Sequence, residues 1–168
     1  MCGLLGEFGK MQSPKSEFDS LLKLSENRGS DMIGYYNNLK VKKDETPFLQ
    51  FGFNRLSILD LTKDANQPII SKSNKYIVMC NGEITNYIKL KEEMGLKTKD
   101  LRSSSDTEIL SHAFDYYGVR ETINRITGMY AIVVYDLINH SIFLIRDPAG
   151  IKPLYFAQTK SGWIFASQ

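Results

Sequence analysis

The sequence predicts an α+β fold in which antiparallel sheet is covered by helices, and three observations predict it. Strand-like segments occupy both ends of the chain while helical patterns are grouped between them, unlike the regular alternation of a parallel sheet. The last part of the chain carries three or four strand-like runs joined by short polar turns, a spacing that suits antiparallel pairing. Two runs, Tyr130 to Tyr135 and Ile142 to Ile145, are apolar on both faces, so both sides of their sheet need a cover. Two face-to-face sheets with helices outside satisfy all three. The 168 residues, 42% of them hydrophobic, suffice for one core, and a single domain over residues 1–168 is expected.

The elements follow in order. Cys2-Gly3-Leu4-Leu5-Gly6-Glu7-Phe8-Gly9 is short, apolar and glycine-rich, the composition of a buried strand that another backbone or a ligand approaches closely. Residues 14–27, opening on Pro14 and carrying Phe18, Leu21, Leu22 and Leu24, fit an amphipathic helix that ends near Arg28-Gly29. Strand-like segments come next at 32–37 and 48–60, with turn signals between them. Tyr76-Ile77-Val78-Met79-Cys80 reads as a buried strand that stops at Asn81-Gly82, a good turn dipeptide, and a helix spans 84–94. Ser105-Asp106-Thr107-Glu108 is a capping box, with Ser105 as N-cap, ahead of Ile109, Leu110, Ala113, Phe114 and Tyr117. The closing strands are expected at 129–135, 141–146, 153–158 and 163–167.

Composition removes several function classes. Lysine and arginine total 21 against 19 acids, a net charge of +2 that offers no footprint for nucleic acid. No run approaches the roughly 18 uninterrupted apolar residues of a membrane span, and the first residues lack the pattern of a secretory signal, so a soluble, cytoplasmic protein is expected. Two cysteines, Cys2 and Cys80, give no disulfide framework, and two distant histidines give no metal-ligand spacing. Reduced thiols, no metal and no cofactor are expected, with His112 and His140 read as solvated helix or turn residues.

Cys2 carries the chemical interest. Removal of Met1 would leave a thiol and a free α-amine on one residue, and an amine of pKa near 7.7 to 8.0 is matched to serve as general base at neutral pH. No histidine is then needed. A cysteine at position 2 is a weak signal alone, and Asn81-Gly82 alone is a turn.

Beyond these residues, the chain as a whole resembles the class II glutamine amidotransferases and, among them, the glutaminase domain of asparagine synthetases. The matching pieces, in order, are Met1-Cys2-Gly3, Arg28-Gly29-Ser30-Asp31, Arg55-Leu56-Ser57-Ile58-Leu59-Asp60, Gln67-Pro68, Asn81-Gly82-Glu83-Ile84, Ser105-Asp106-Thr107-Glu108, Gly128-Met129 and Arg146-Asp147-Pro148-Ala149-Gly150-Ile151-Lys152-Pro153-Leu154-Tyr155. The resemblance implies the N-terminal nucleophile hydrolase fold, a four-layer αββα sandwich. It also implies roles: Cys2 attacks the glutamine side-chain amide, while the Asn81 side chain and the Gly82 N–H form the oxyanion hole. Arg55 would grip the α-carboxylate and Asp106 the α-ammonium, with Glu83 and main-chain groups around Leu56 and Ile58 assisting. Cys80 reads as a small strand filler, and the Arg146-to-Pro153 string as turn geometry and ion pairing.

Departures from the family pattern sit beside these positions: Ser30 where proline is frequent, Phe53-Asn54 before Arg55, Asn66 where histidine precedes Gln67-Pro68, and Gln168 where Phe-Ala-Ser is usually followed by glutamate. The 168 residues contain no Ser-Gly-Gly phosphate loop of an ATP-dependent synthetase. The expectation is therefore a glutaminase whose ammonia feeds a synthetase domain outside these residues, the chain being an excised domain or a free-standing subunit. Two alternatives stay open: a non-catalytic glutamine-binding or regulatory module, and a glutaminase of the amino-sugar or purine-precursor branches.

Overall fold

The computed structural model describes residues 1–10, 13–38 and 46–168. Its strands are β1 (Gly3–Gly9), β2 (Met32–Asn37), β3 (Phe48–Arg55), β4 (Ile69–Ile70), β5 (Tyr76–Ile84), β6 (Gly128–Asp136), β7 (Ser141–Arg146), β8 (Tyr155–Gln158) and β9 (Gly162–Ala166). Its helices are α1 (Lys15–Lys23), α2 (Tyr87–Glu93) and α3 (Asp106–Arg125). Every strand pair is antiparallel, in a five-stranded sheet of order β2-β3-β1-β9-β8 and a four-stranded sheet of order β4-β5-β6-β7.

Alternation along the strands decides the layering. In β5 and β6, Ile77, Met79, Val133 and Tyr135 point one way and meet Leu4, Leu49, Phe51 and Phe53 of the other sheet. Their neighbours Val78, Cys80, Ile132 and Val134 point the opposite way, against Leu90 of α2 and Ile109, Leu110 and Phe114 of α3. On the far side of the five-stranded sheet, Phe18 and Leu22, four apart on α1, cover Leu5. The order is thus helix, sheet, sheet, helices, and the doubly apolar β6 is buried on both faces because it lies second from the edge of its sheet. β7, the other run expected to be covered on both sides, is an edge strand and only half-buried, with Phe143 exposed.

Several boundaries differ from expectation. The first helix is shorter than 14–27; it ends at Lys23 and Glu26–Arg28 forms a separate 3₁₀ turn. The strand read at 48–60 stops at Arg55, where its pairing with β2 runs out, and 56–60 is loop. The turn expected between β2 and β3 falls at 39–45, outside the described residues. β5 does not stop at Asn81-Gly82: nine consecutive pairings with β6 carry it through Ile84 and override the turn preference of that dipeptide. The helix expected at 84–94 consequently starts only at Tyr87. Half of the capping box forms. Ser105 Oγ accepts from Glu108 N at 3.2 Å, but the Glu108 carboxylate turns to Arg102 N and Ser103 N at 2.8 and 2.6 Å. His112 is buried against Glu108 instead of solvated, and burial holds its imidazole below the usual range. Among the described residues no helix is long and apolar enough to cross a membrane.

Candidate active site

The start of β1, the loop after β3, the end of β5 and the first turn of α3 meet at one end of the sandwich, around a cavity of about 150 Å³. That is well above the roughly 10–15 Å³ a single water needs. Cys2, Arg55, Leu56, Ile58, Asn81, Gly82, Glu83 and Asp106, scattered over a hundred positions of sequence, all line it, together with Met1, Asp60, Gln67, Cys80, Met129 and Lys152.

The ladder of β5 explains which groups face the cavity. Thr85 donates to Thr127 O just past the strand, and Tyr130, opposite Gly82, directs its N–H and C=O to Asp147. Even-numbered residues of β5 therefore turn their main-chain groups away from β6. On that outer edge Val78 pairs with Ile69, and Ile84 N donates to Asp106 Oδ2 at 2.8 Å. Cys80 meets the side-chain amide of Gln67, with Cys80 N donating to Oε1 at 2.6 Å and Nε2 donating to Cys80 O at 3.2 Å. Between them, the Gly82 N–H has no acceptor among the described residues and opens on the cavity. Glycine is required here, since a Cβ would collide with Met129 O and Tyr130 Cα.

Asn81 points to the opposite face, toward the start of β1. Its Oδ1 accepts from Cys2 N at 3.1 Å. Because the partner is an N–H, that end of the amide must be oxygen, which leaves Nδ2 as a buried donor with no partner. An orphaned donor costs about 1–3 kcal/mol. A ligand oxygen placed between Asn81 Nδ2 and Gly82 N–H would recover that cost.

Cys2 is held by several neighbours. Leu56 N donates to Cys2 Sγ at 3.4 Å, and the thiol reaches Leu56 O at 3.7 Å. Arg28 Nε donates to Cys2 O at 3.0 Å, and Asp31 Oδ2 accepts from Ser57 N at 2.7 Å, which ties the loop after β3 to the chain after α1. Burial pushes the Cys2 thiol above its ordinary range, although the nearby Arg55 cation opposes this. At neutral pH the thiol is therefore protonated and needs a base to react.

Opposite charges stand on separate walls. Arg55 is buried and donates from Nη1 to Thr62 O at 2.9 Å and to Met32 Sδ at 3.6 Å and from Nη2 to Asp60 O, so three of the five guanidinium N–H groups orient it and the others stay available. The Asp60 carboxylate takes hydrogen bonds from Thr62 and Ser104, which hold it well below the usual carboxylate range and lock the loop to the residues before α3. Asp106, also buried, accepts from Ile84 N and from Thr107 Oγ1, yet burial and the neighbouring Glu83 push its carboxyl upward. A cation bound there would relieve that penalty. A ligand with one carboxylate, one ammonium and a carbonyl between thiol and donors fits this arrangement.

Arg28, Asp60, Gln67 and Lys152 were not singled out by residue type, though each lies in one of the ordered motif strings. The Arg146-to-Pro153 string does form a turn, but Arg146 donates to the carbonyls of Gly150 and Lys152 instead of forming an ion pair, and Lys152 reaches the cavity wall. Cys80 is buried in the helix-side core, its thiol pushed far up by burial. Among the described residues no group of three or more His, Cys, Asp or Glu side chains is placed to hold a metal ion.

Comparison with known proteins identifies the family. A family model described as a glutamine amidotransferase domain matches residues 1–168. Over 173 residues the chain is 34% identical to asparagine synthetase [glutamine-hydrolyzing] 1 of Bacillus subtilis (strain 168), covering 100% of this chain and 26% of the relative. The human asparagine synthetase [glutamine-hydrolyzing] is 32% identical over 165 residues, covering 98% and 28%. The chain thus spans about a quarter of the length of the curated relatives it matches. Among solved structures, the glutamine phosphoribosylpyrophosphate amidotransferase of B. subtilis, complexed with ADP and GMP, superposes with a TM-score of 0.75 at 19% identity, over 99% of this chain and 42% of that one. That likeness bears on the fold alone, the two-sheet sandwich.

Proposed function

Because the chain belongs to the glutamine amidotransferase domain family, of the class II type found in glutamine-hydrolysing asparagine synthetases, we propose that it hydrolyses glutamine to glutamate and ammonia through a thioester on Cys2. The observation that carries this reading is the buried, unpartnered Asn81 Nδ2 and the open Gly82 N–H, on residues that line one cavity with Cys2, whose N donates to Asn81 Oδ1.

The steps follow from the groups present. Once Met1 is removed, the nitrogen of Cys2 is an amine that can still donate to Asn81 Oδ1 and has a lone pair to take the thiol proton. Sγ attacks the side-chain amide carbon, and the oxygen gains negative charge between Asn81 Nδ2 and Gly82 N–H. The amine returns its proton to the leaving nitrogen, the C–N bond breaks and ammonia departs. Water, deprotonated by the same amine, then attacks the thioester; the C–S bond breaks and glutamate is released. Arg55 holds the α-carboxylate, Asp106 with Glu83 the α-ammonium, and main-chain groups of Leu56 and Ile58 complete the cradle.

Arg55→Lys is expected to raise KM for glutamine at least about tenfold while kcat changes by under about threefold, because one ammonium cannot serve both the loop carbonyls and a carboxylate. Steady-state kinetics over a range of glutamine concentrations checks this.

The ammonia is passed, in this reading, to an ATP-dependent synthetase that makes asparagine, in the cytoplasm, where Cys2 and Cys80 stay reduced. The names of the full-length relatives and their fourfold greater length support it. The second reading, a glutamine-binding module without turnover, applies where Met1 stays attached, because Cys2 N is then an amide with no basic lone pair. Intact mass before and after a glutamine-analogue alkylator separates the two. A chain one methionine lighter that takes a single adduct on Cys2 supports hydrolysis; a chain that keeps Met1 and takes none supports the module.

A further inference from the structure

We propose that Gln67 is a positioning residue for the oxyanion donors, a side chain that replaces a missing strand and ties the donor segment to the wall that holds the substrate ammonium. This rests on the hydrolytic reading for its kinetic consequence. The bonds themselves do not.

The register makes the case. In the β4–β5 pairing Ile69 lies opposite Val78 and Ile70 opposite Ile77, and Ser71 N donates to Tyr76 O at 2.9 Å, so residue 67 would be the next to bond Cys80 through its main chain. β4 ends before that position, and the Gln67 side chain takes over. Its Oε1 accepts from Cys80 N at 2.6 Å and its Nε2 donates to Cys80 O at 3.2 Å, the same pair of bonds a strand residue would make. The second Nε2 hydrogen goes to Thr107 Oγ1 at 3.3 Å, and Thr107 Oγ1 donates to Asp106 Oδ1 at 3.4 Å. The amide is fully used and buried, and its orientation is fixed by Cys80 N, which can only donate.

A surrogate made of one side chain differs from a strand in what it leaves open. A continued β4 would have covered Gly82 with residue 65, whereas a single amide satisfies Cys80 and stops. The Gly82 N–H stays free and Asn81 is held from the residue before it. Substrate binding and oxyanion stabilisation are therefore joined by one chain of hydrogen bonds, from Cys80 through Gln67 and Thr107 to Asp106.

The test uses the purified full chain with Gln67→Met, which keeps the stem and removes every polar atom, beside Thr107→Val, which removes the hydroxyl between Gln67 and Asp106 and leaves both Gln67 bonds to Cys80. Amide hydrogen exchange read by NMR should show the Cys80 amide opening at least about tenfold faster in Gln67→Met and within about threefold of the parent in Thr107→Val. In glutamine hydrolysis, normalised to the fraction of Cys2 that takes the alkylator, Gln67→Met should lose about 10- to 100-fold in kcat with KM within about threefold, and Thr107→Val should raise KM instead. Unchanged Cys80 exchange in Gln67→Met overturns the inference whatever the activity, and so does a parental kcat in that variant. Should Gln67→Met not fold, Gln67→Glu loses both donors at constant shape, and an undiminished kcat there overturns it equally. A parent chain that releases no ammonia overturns the hydrolytic reading, and the exchange measurement still decides the Gln67 bonds.

Discussion

Cys2→Ala is expected to abolish ammonia release from glutamine, leaving only the solution background, without loss of fold. The side chain is half-buried at the mouth of β1 and makes two weak sulfur contacts with Leu56, so its removal costs little packing. Catalysis is expected to lose everything, because in the proposed mechanism the thioester forms on Cys2 alone. Cys80, the second thiol, points into the helix-side core, and burial keeps it protonated. A coupled assay for ammonia, with circular dichroism as control for folding, reads the result. Residual turnover near the parental rate in Cys2→Ala would remove the thioester from the mechanism. Cys80→Ala should still take the glutamine-analogue adduct, which separates a specific effect of Cys2 from general thiol chemistry. The rate should also depend on a base. With Met1 attached, burial raises the Cys2 thiol; once Met1 is removed, the proposed mechanism assigns the thiol proton to the amine of the same residue. Rate is therefore expected to rise as pH climbs through the range of an α-amine near 7.7 to 8.0.

Asn81→Ala should lower kcat by roughly 100- to 1,000-fold with KM changed little, the loss typical of one oxyanion donor. The donor is not needed to bind the substrate; it meets full negative charge only when the tetrahedral intermediate forms, so its removal appears in kcat. Asn81→Asp should lose at least as much, because a carboxylate places lone pairs where the intermediate needs a hydrogen. Both variants keep β5, whose pairing with β6 runs over nine residues and does not use the side chain. The parental amide pays a cost while empty, since Nδ2 is buried without a partner. Asn81→Ala removes that orphan together with the bond from Cys2 N, two opposed effects of similar size, so the thermal midpoint should change little. A proportional rise in KM with kcat intact would mean that Asn81 binds ground-state glutamine and not the oxyanion.

Much of this was legible in residue order, and the misses share a cause. Two sheets with helices outside followed from doubly apolar runs such as Tyr130 to Tyr135, because a strand buried on both faces must be apolar on both. The ordered short motifs named Cys2, Arg55, Asn81 and Asp106, each of a residue type whose chemistry suits one part of an amino-acid amide. Where the reading failed, a long-range partner had overruled a local preference. Asn81-Gly82 looked like a turn, since nothing within five residues tells that β6, almost fifty positions away, pairs straight through it. Gln67 entered only as part of the Gln67-Pro68 string, since its bonds to Cys80 and Thr107 exist only after β4 falls short.

The sequence by itself determined the layer class, because that depends on a periodicity any fold must respect, while the family resemblance pointed to Cys2 and to the charged groups around it. Only the tertiary structure decided which donors stay unpaired. Whether Gly82 N–H and Asn81 Nδ2 are free depends on where β4 ends, what Gln67 occupies and where Cys2 N lies. An unsatisfied hydrogen bond is a property of a whole neighbourhood, and no residue carries it in isolation.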